Sequence, residues 1–146
     1  MEYKFTEHIT FLQKIAKKSE LSHKHAAALI KDSTLYSYNF NAYVQPFYKK
    51  TDQINNYFKS IHAEINVFYN FPKKYVKNLD IIVIRINNKN ILKNSRPCND
   101  CILKLRKLGI RKIYYSNDSG EIISEFVNNM DLIHVSKASK LLKNKN

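Results

Sequence analysis

Two short stretches constrain this chain more than anything else in it: His62-Ala63-Glu64, within Ile61 to Asn66, and Pro97-Cys98-Asn99-Asp100-Cys101, preceded by Arg96. A histidine, a carboxylate two residues on and a proline-led pair of cysteines supply three soft-to-borderline metal ligands and one group able to carry protons. A fold that uses them must bring distant segments to one point. That requirement favours two element starts converging at one end of a sheet.

The chain has 146 residues, of which 44% are hydrophobic and 12% aromatic. This is the size and composition of one globular domain spanning 1–146, with a core over about 23–127 and a basic tail over about 136–146. No apolar run approaches the length needed to cross a bilayer, and Met1 to Thr10 carries Glu2, Lys4 and Glu7 where a signal peptide needs an apolar stretch. A cytoplasmic, reducing location without a membrane partner is therefore expected. The only cysteines are Cys98 and Cys101, and their spacing suits a metal or a redox pair better than a structural disulfide.

The net charge of +13 invites a nucleic-acid partner, because clustered cations displace counterions from a phosphate backbone. Lysine dominates, however, with only Arg85, Arg96, Arg106 and Arg111 as arginines, and asparagine is abundant too. A compositional bias acting on exposed positions gives the same pattern, so both readings stand.

Along the chain, Phe5, Ile9, Leu12, Ile15 and Ala16 repeat at helical spacing, which predicts an amphipathic covering helix from Phe5 to Lys18 with His8 near its packed face. His25 to Ile30 and Leu35 to Phe40 flank a turn-like Lys31-Asp32-Ser33-Thr34 and predict a hairpin, followed by a loop to Tyr48. Tyr36, Tyr38, Phe40, Tyr43, Phe47 and Tyr48 either stack bases or pack in a core. Ser60 is the expected cap of a helix from about Ile61 to Tyr69 that stops before Pro72. Asp80 to Ile86 reads as a central strand, and Cys98 to Leu108 as a helix ended by Gly109. Ile110 to Ser116 and Glu121 to Val127, joined by Asn117-Asp118-Ser119-Gly120, predict an antiparallel last hairpin. Ser136 to Asn146 predicts a frayed terminal helix.

The chemistry follows from ligand number. His62, Cys98 and Cys101 make three protein ligands and leave a fourth tetrahedral position for water, the mark of a catalytic zinc site. A helix N-terminus favours the thiolates that zinc requires. A closed structural site needs a fourth ligand, for which His23, His25 and His134 are the candidates, though none has finger-like spacing. A thioredoxin-like use of the cysteine pair leaves the histidine and glutamate unexplained. Glu64 is then placed to move protons between water and an amine-bearing, electron-poor ring such as cytosine or adenine.

Together these motifs resemble the cytidine and deoxycytidylate deaminase superfamily, over about His23 to Val127; the paired signature is that of zinc-dependent nucleobase deaminases. The resemblance implies an α/β fold, a three-layer α/β/α sandwich around a central mixed five-stranded sheet. It implies Zn2+ as cofactor on His62, Cys98 and Cys101, with Glu64 as the catalytic proton shuttle. Substrate contacts fall on Asn41, at the end of the second strand, and on Ala63, Arg96 and Pro97. Asn39 stands where relatives usually carry glycine, and Arg96 where they carry glutamate or a small polar residue; Arg96 meets a substrate phosphate or decorates the surface. The implied reaction is hydrolytic deamination of cytosine in a (deoxy)cytidine nucleoside or nucleotide. An antiparallel last hairpin resembles the free-nucleoside branch, whereas His-Ala-Glu-Ile-Asn also resembles deoxycytidylate and tRNA adenosine deaminases. The alternatives are cytosine or adenine editing in single-stranded DNA or RNA and a non-catalytic zinc-fold binding module. Self-association into a homo-oligomer is left open.

Overall fold

A computed structural model describes residues 2–43 and 60–133. The expected terminal helix over 136–146, His134, Phe47 and Tyr48 lie outside the described residues. Helix α1 spans Glu2–Ala16, and strands β1 (Lys24–Lys31) and β2 (Thr34–Phe40) form the first hairpin. Asp32 and Ser33 both adopt positive φ, 51° and 72°, the mirror-image turn whose twist matches that of two joined strands. Two short strands follow, β3 (Ala42–Tyr43) and β4 (Ser60–Ile61), then helix α2 (Ala63–Asn66). The second half comprises β5 (Asp80–Ile86), β6 (Leu92–Lys93), α3 (Asn99–Leu108), β7 (Lys112–Ser116) and β8 (Ile122–Phe126).

The main sheet has the order β2-β1-β5-β7-β8, with β6 added antiparallel to the end of β5. β5 and β7 run parallel, and the other neighbours in that order are antiparallel. The sheet is mixed because α3 carries the chain back before β7 begins, whereas tight turns join β1 to β2 and β7 to β8. The antiparallel last hairpin is as the sequence implied.

Period-two alternation explains the layers. On one face Ala26, Ala28, Ile30, Ile82, Ile84 and Ile86 meet Ile9, Leu12, Ile15 and Ala16 of α1. On the other, Ala27, Leu29, Ile81, Val83 and Ile113 meet Ala63 and Val67 around α2 and Ile102 and Leu105 of α3. The result is the expected three-layer α/β/α sandwich. Alanines 26, 27 and 28, each fully buried, keep β1 thin under both layers. Helix α3 stops at Gly109, whose φ is 83°; Gly109 and Ile110 donate to the carbonyls of Arg106 and Leu105, closing the helix in a Schellman motif.

Two local expectations are corrected. Ser60 is a strand residue paired with Tyr43, and His62 takes the N-cap position of α2 with no side-chain cap bond. Helix α2 ends at Asn66 rather than Tyr69. Asn66 turns its amide onto the carbonyl of Phe40 and the chain passes through turns to Asn70, which sits at φ 62° and cannot continue a right-handed helix. Strand β6 and the small β3–β4 sheet carry too few residues to leave a pattern in the sequence. Among the described residues no helix is long and apolar enough to cross a membrane.

Candidate active site

The site forms where the carboxyl end of β5 and the amino end of β1 meet the mouths of two helices. His62 precedes α2 and Cys98 precedes α3, both in extended conformation, so their side chains leave the helix mouths without capping them. Cys101 and Glu64 follow in the first turns, and both are buried. His62 Nδ1 lies 3.2 Å from Cys101 Sγ and 3.9 Å from Cys98 Sγ. All three ligand atoms fall within 4.8 Å of one another, a group that could hold a metal ion. Ordinary zinc bond lengths in a tetrahedron separate such atoms by about 3.6 Å, so the donor set fits zinc in type and spacing. Among the described residues neither His23 nor His25 joins the group.

Local electrostatics favour cation binding. The hydrogen bond from Cys101, reinforced by His62, pulls the Cys98 thiol down to about 4, whereas sharing that proton and burial push Cys101 up. The Cys98 contact also raises His62. Burial raises the Glu64 carboxyl, the direction that lets a carboxyl both take and return protons near neutrality. Burial likewise lowers His25 to about 4, against an opposing hydrogen bond with the carbonyl of His23.

A cleft of about 450 Å³ opens over the group. His62, Glu64 and Cys98 line it, as do two of the expected substrate contacts, Asn41 and Arg96. Asn41 Oδ1 accepts from the His25 amide at 2.9 Å and Nδ2 donates to the His23 carbonyl at 2.6 Å, so this side chain stitches the end of β2 to the start of β1. One N–H and one further lone pair remain to it. Asn39 keeps negative φ and donates to the Asn66 carbonyl at 3.3 Å, so no glycine is required there. Ala63 is fully buried in the core beneath the cleft, and Pro97 is buried beside Cys98; neither side chain lines the cleft.

Arg96 does not decorate the surface: its side chain is 14% exposed, Nη2 donates to the Asp131 carbonyl at 2.8 Å, and Nε lies 3.6 Å from Glu125. Of the aromatic set, Tyr36, Tyr38 and Tyr43 are exposed away from the cleft, Tyr38 lies edge-on to Phe11, and Phe40 packs on the α1 side of the sheet.

Sequence reasoning passed over several residues. Ser95 and Ser116, both buried, stand with their hydroxyl oxygens 2.9 Å apart, each also beside a strand carbonyl, that of Val83 for Ser95 and that of Lys93 for Ser116, so two hydroxyl protons are shared among these contacts while the Ser116 amide donates to Ser95 Oγ. This network pins the Pro97-Cys98 loop against β5 and β7. Arg85 also lines the cleft. Its signal was visible: a lone arginine inside the apolar run Asp-Ile-Ile-Val-Ile-Arg-Ile.

The sheet order and the two helix mouths are those of an α/β fold that the chain shares with solved deaminases. More particularly, the chain is similar to the dCMP deaminase of the cyanophage S-TIM5 in its apo form, with a TM-score of 0.57 at 19% identity over 81% of this chain and 85% of that one. The same phage enzyme in complex with dCMP and dUMP gives a TM-score of 0.53 at 18% identity over 80% and 81%. At such identity the likeness establishes the fold. No protein-family model matches the chain, and no curated protein matches it in sequence.

Proposed function

We propose that this chain is a zinc-dependent hydrolytic deaminase converting cytosine to uracil in a (deoxy)cytidine nucleotide, with dCMP as the lead substrate. The observation that carries the reading is a buried Glu64 in one cleft with a three-member His-Cys-Cys group, on a fold shared with an enzyme solved in complex with dCMP and dUMP. Zinc held by His62, Cys98 and Cys101 would supply the Lewis acidity that makes water a nucleophile near neutral pH.

The chain supplies the rest. Glu64 takes a proton from the attacking water, delivers it to the ring nitrogen next to the reacting carbon, and carries a second proton to the amine. Water adds, ammonia departs, and cytosine becomes uracil. Burial suits Glu64 to this shuttle by narrowing the gap between its proton affinity and that of the ring. Asn41 would orient the substrate with its spare donor and acceptor, Arg96 through its guanidinium, and Ala63 and Pro97 through backbone atoms.

A polynucleotide substrate is the second reading, favoured by the net charge of +13. Incubating the zinc-loaded protein with dCMP, cytidine and a cytosine-containing single strand separates the two, with Glu64→Ala as control. Ammonia release from dCMP that vanishes in the variant supports the first reading. Release from the strand alone supports the second, and inertness towards all three with zinc retained defeats both.

A further inference from the structure

We propose that Arg85, assisted by Arg96, holds the terminal phosphate of a cytosine mononucleotide and thereby selects the nucleotide over the free nucleoside. This rests on the deaminase reading above and assigns its substrate class to named side chains.

Strand β5 puts Ile82, Ile84 and Ile86 on the α1 side and Ile81, Val83 and Arg85 on the side of the candidate metal group. The remaining residues of β5 are buried, and Arg85 is the one cationic side chain in the strand, its only other charged residue, Asp80, being paired with Arg111 at the far end. The guanidinium lines the same cleft as Glu64, His62 and Cys98. Its Nε is buried without a hydrogen-bond partner, and among the described residues it makes no ion pair. A buried, unpartnered guanidinium nitrogen is costly to keep, and a strand interior is a costly place for it unless a ligand completes its bonding.

Arg96, which lines the same cleft, shows the same incompleteness. Nη2 is fixed on the Asp131 carbonyl and Nε faces Glu125, whose Oε2 also accepts from the Tyr115 hydroxyl at 2.5 Å. Nη1 is left buried and without a partner. Glu125 offsets the charge of Arg96, so among the described residues that line the cleft Arg85 is the arginine without an ion-pair partner. His25 beside it adds no charge near neutral pH, because burial keeps the imidazole neutral.

Two guanidinium groups with spare N–H donors suit an anion with several oxygens. A terminal phosphate monoester offers three such oxygens and nearly two negative charges at neutral pH. An internal phosphodiester offers two oxygens and one charge, so the pair fits a mononucleotide better than a strand.

The test compares dCMP with deoxycytidine as substrates, and dUMP with deoxyuridine as ligands by calorimetry, in wild type, Arg85→Gln and Arg85→Lys. The ratio of kcat/KM for dCMP to that for deoxycytidine should fall roughly tenfold to a hundredfold in Arg85→Gln, the size of one or two charge-assisted hydrogen bonds. Arg85→Lys, which keeps the charge, should recover part of it, and inorganic phosphate should compete with dCMP in wild type. Thermal unfolding identifies any variant that has lost its fold; Arg85→Lys and phosphate competition then decide. A wild type indifferent to the phosphate, a ratio unchanged in both variants, or an unphosphorylated single strand preferred over dCMP would overturn the proposal while leaving deamination standing. Should neither nucleoside nor nucleotide turn over, phosphate-dependent binding of dUMP that is lost in Arg85→Gln upholds the arginine assignment and places the failure with the deaminase reading. Equal binding of dUMP and deoxyuridine overturns it.

Discussion

The two faces of the sheet share the same strands and do different work. Under α1 the contact is made by apolar side chains: Leu12, Ala26, Ala28, Ile82 and Ile84 are fully buried. On the opposite face the same strands meet α2 and α3, and towards one end apolar packing gives way to buried polar groups, Glu64, Ser95 and Ser116. The centre of the first face answers to shape and volume, and its buried carboxyl, Asp80, sits at the rim paired with Arg111. The second tolerates buried polarity because each group has a partner or a chemical task. Stability and chemistry are thus separable by face, and each face can be probed without the other.

The sharpest break of that division comes from Glu64→Gln. It should lower kcat for dCMP roughly a hundredfold to ten-thousandfold while unfolding at or above the wild-type temperature, since a buried carboxyl is replaced by a neutral amide. Full activity in this variant would dissolve the contrast. On the other face, Leu12→Ala should cost about 2–5 kcal/mol in urea unfolding and leave KM for dCMP unchanged in the folded fraction. A shifted KM would mean that the faces are coupled.

A titration sharpens the boundary between them. The folded state holds His25 near 4 against an ordinary value of 6.5, so below about pH 6.5 the unfolded chain binds the extra proton first. The His25 contribution should be constant above that pH and cost stability progressively as pH drops from 6.5 towards 4, so wild type should fall more steeply than His25→Gln over that range; the difference between their denaturant midpoints measures it. The smallest effect is expected at the stop of α3. Gly109→Ala should cost about 1–2 kcal/mol, because alanine resists a φ of 83°. Its new Cβ would stand 3.1 Å from Lys77 Cγ, a flexible stem that can move aside, so the penalty is one of backbone and should leave kcat intact.

The same division explains what was legible in the chain. Features written in local pattern were readable: the helical repeat of α1, the apolar run of β5, the Gly109 stop, and the grouping of His62, Cys98 and Cys101, which the fold brings together as a set that could hold a metal ion. Features set by tertiary contact were not. Ser60 looks like a cap but pairs with Tyr43, and α2 is cut short because the Asn66 amide serves β2. Arg96 left two readings open until Glu125 and Asp131, far along the chain, placed it in the cleft wall. Arg85 stood in plain view, but only the alternation of a paired strand tells which face an arginine joins.

The most direct test of the central claim, that the two helix mouths build a metal-dependent deamination site, is to follow dCMP by product analysis while the bound metal is counted. The expected result is about one zinc per chain, conversion of dCMP to dUMP with release of ammonia, loss of both metal and turnover on chelation, and return of both when zinc is restored. Retention of zinc with no conversion of dCMP, or conversion that persists in metal-free protein, would contradict it.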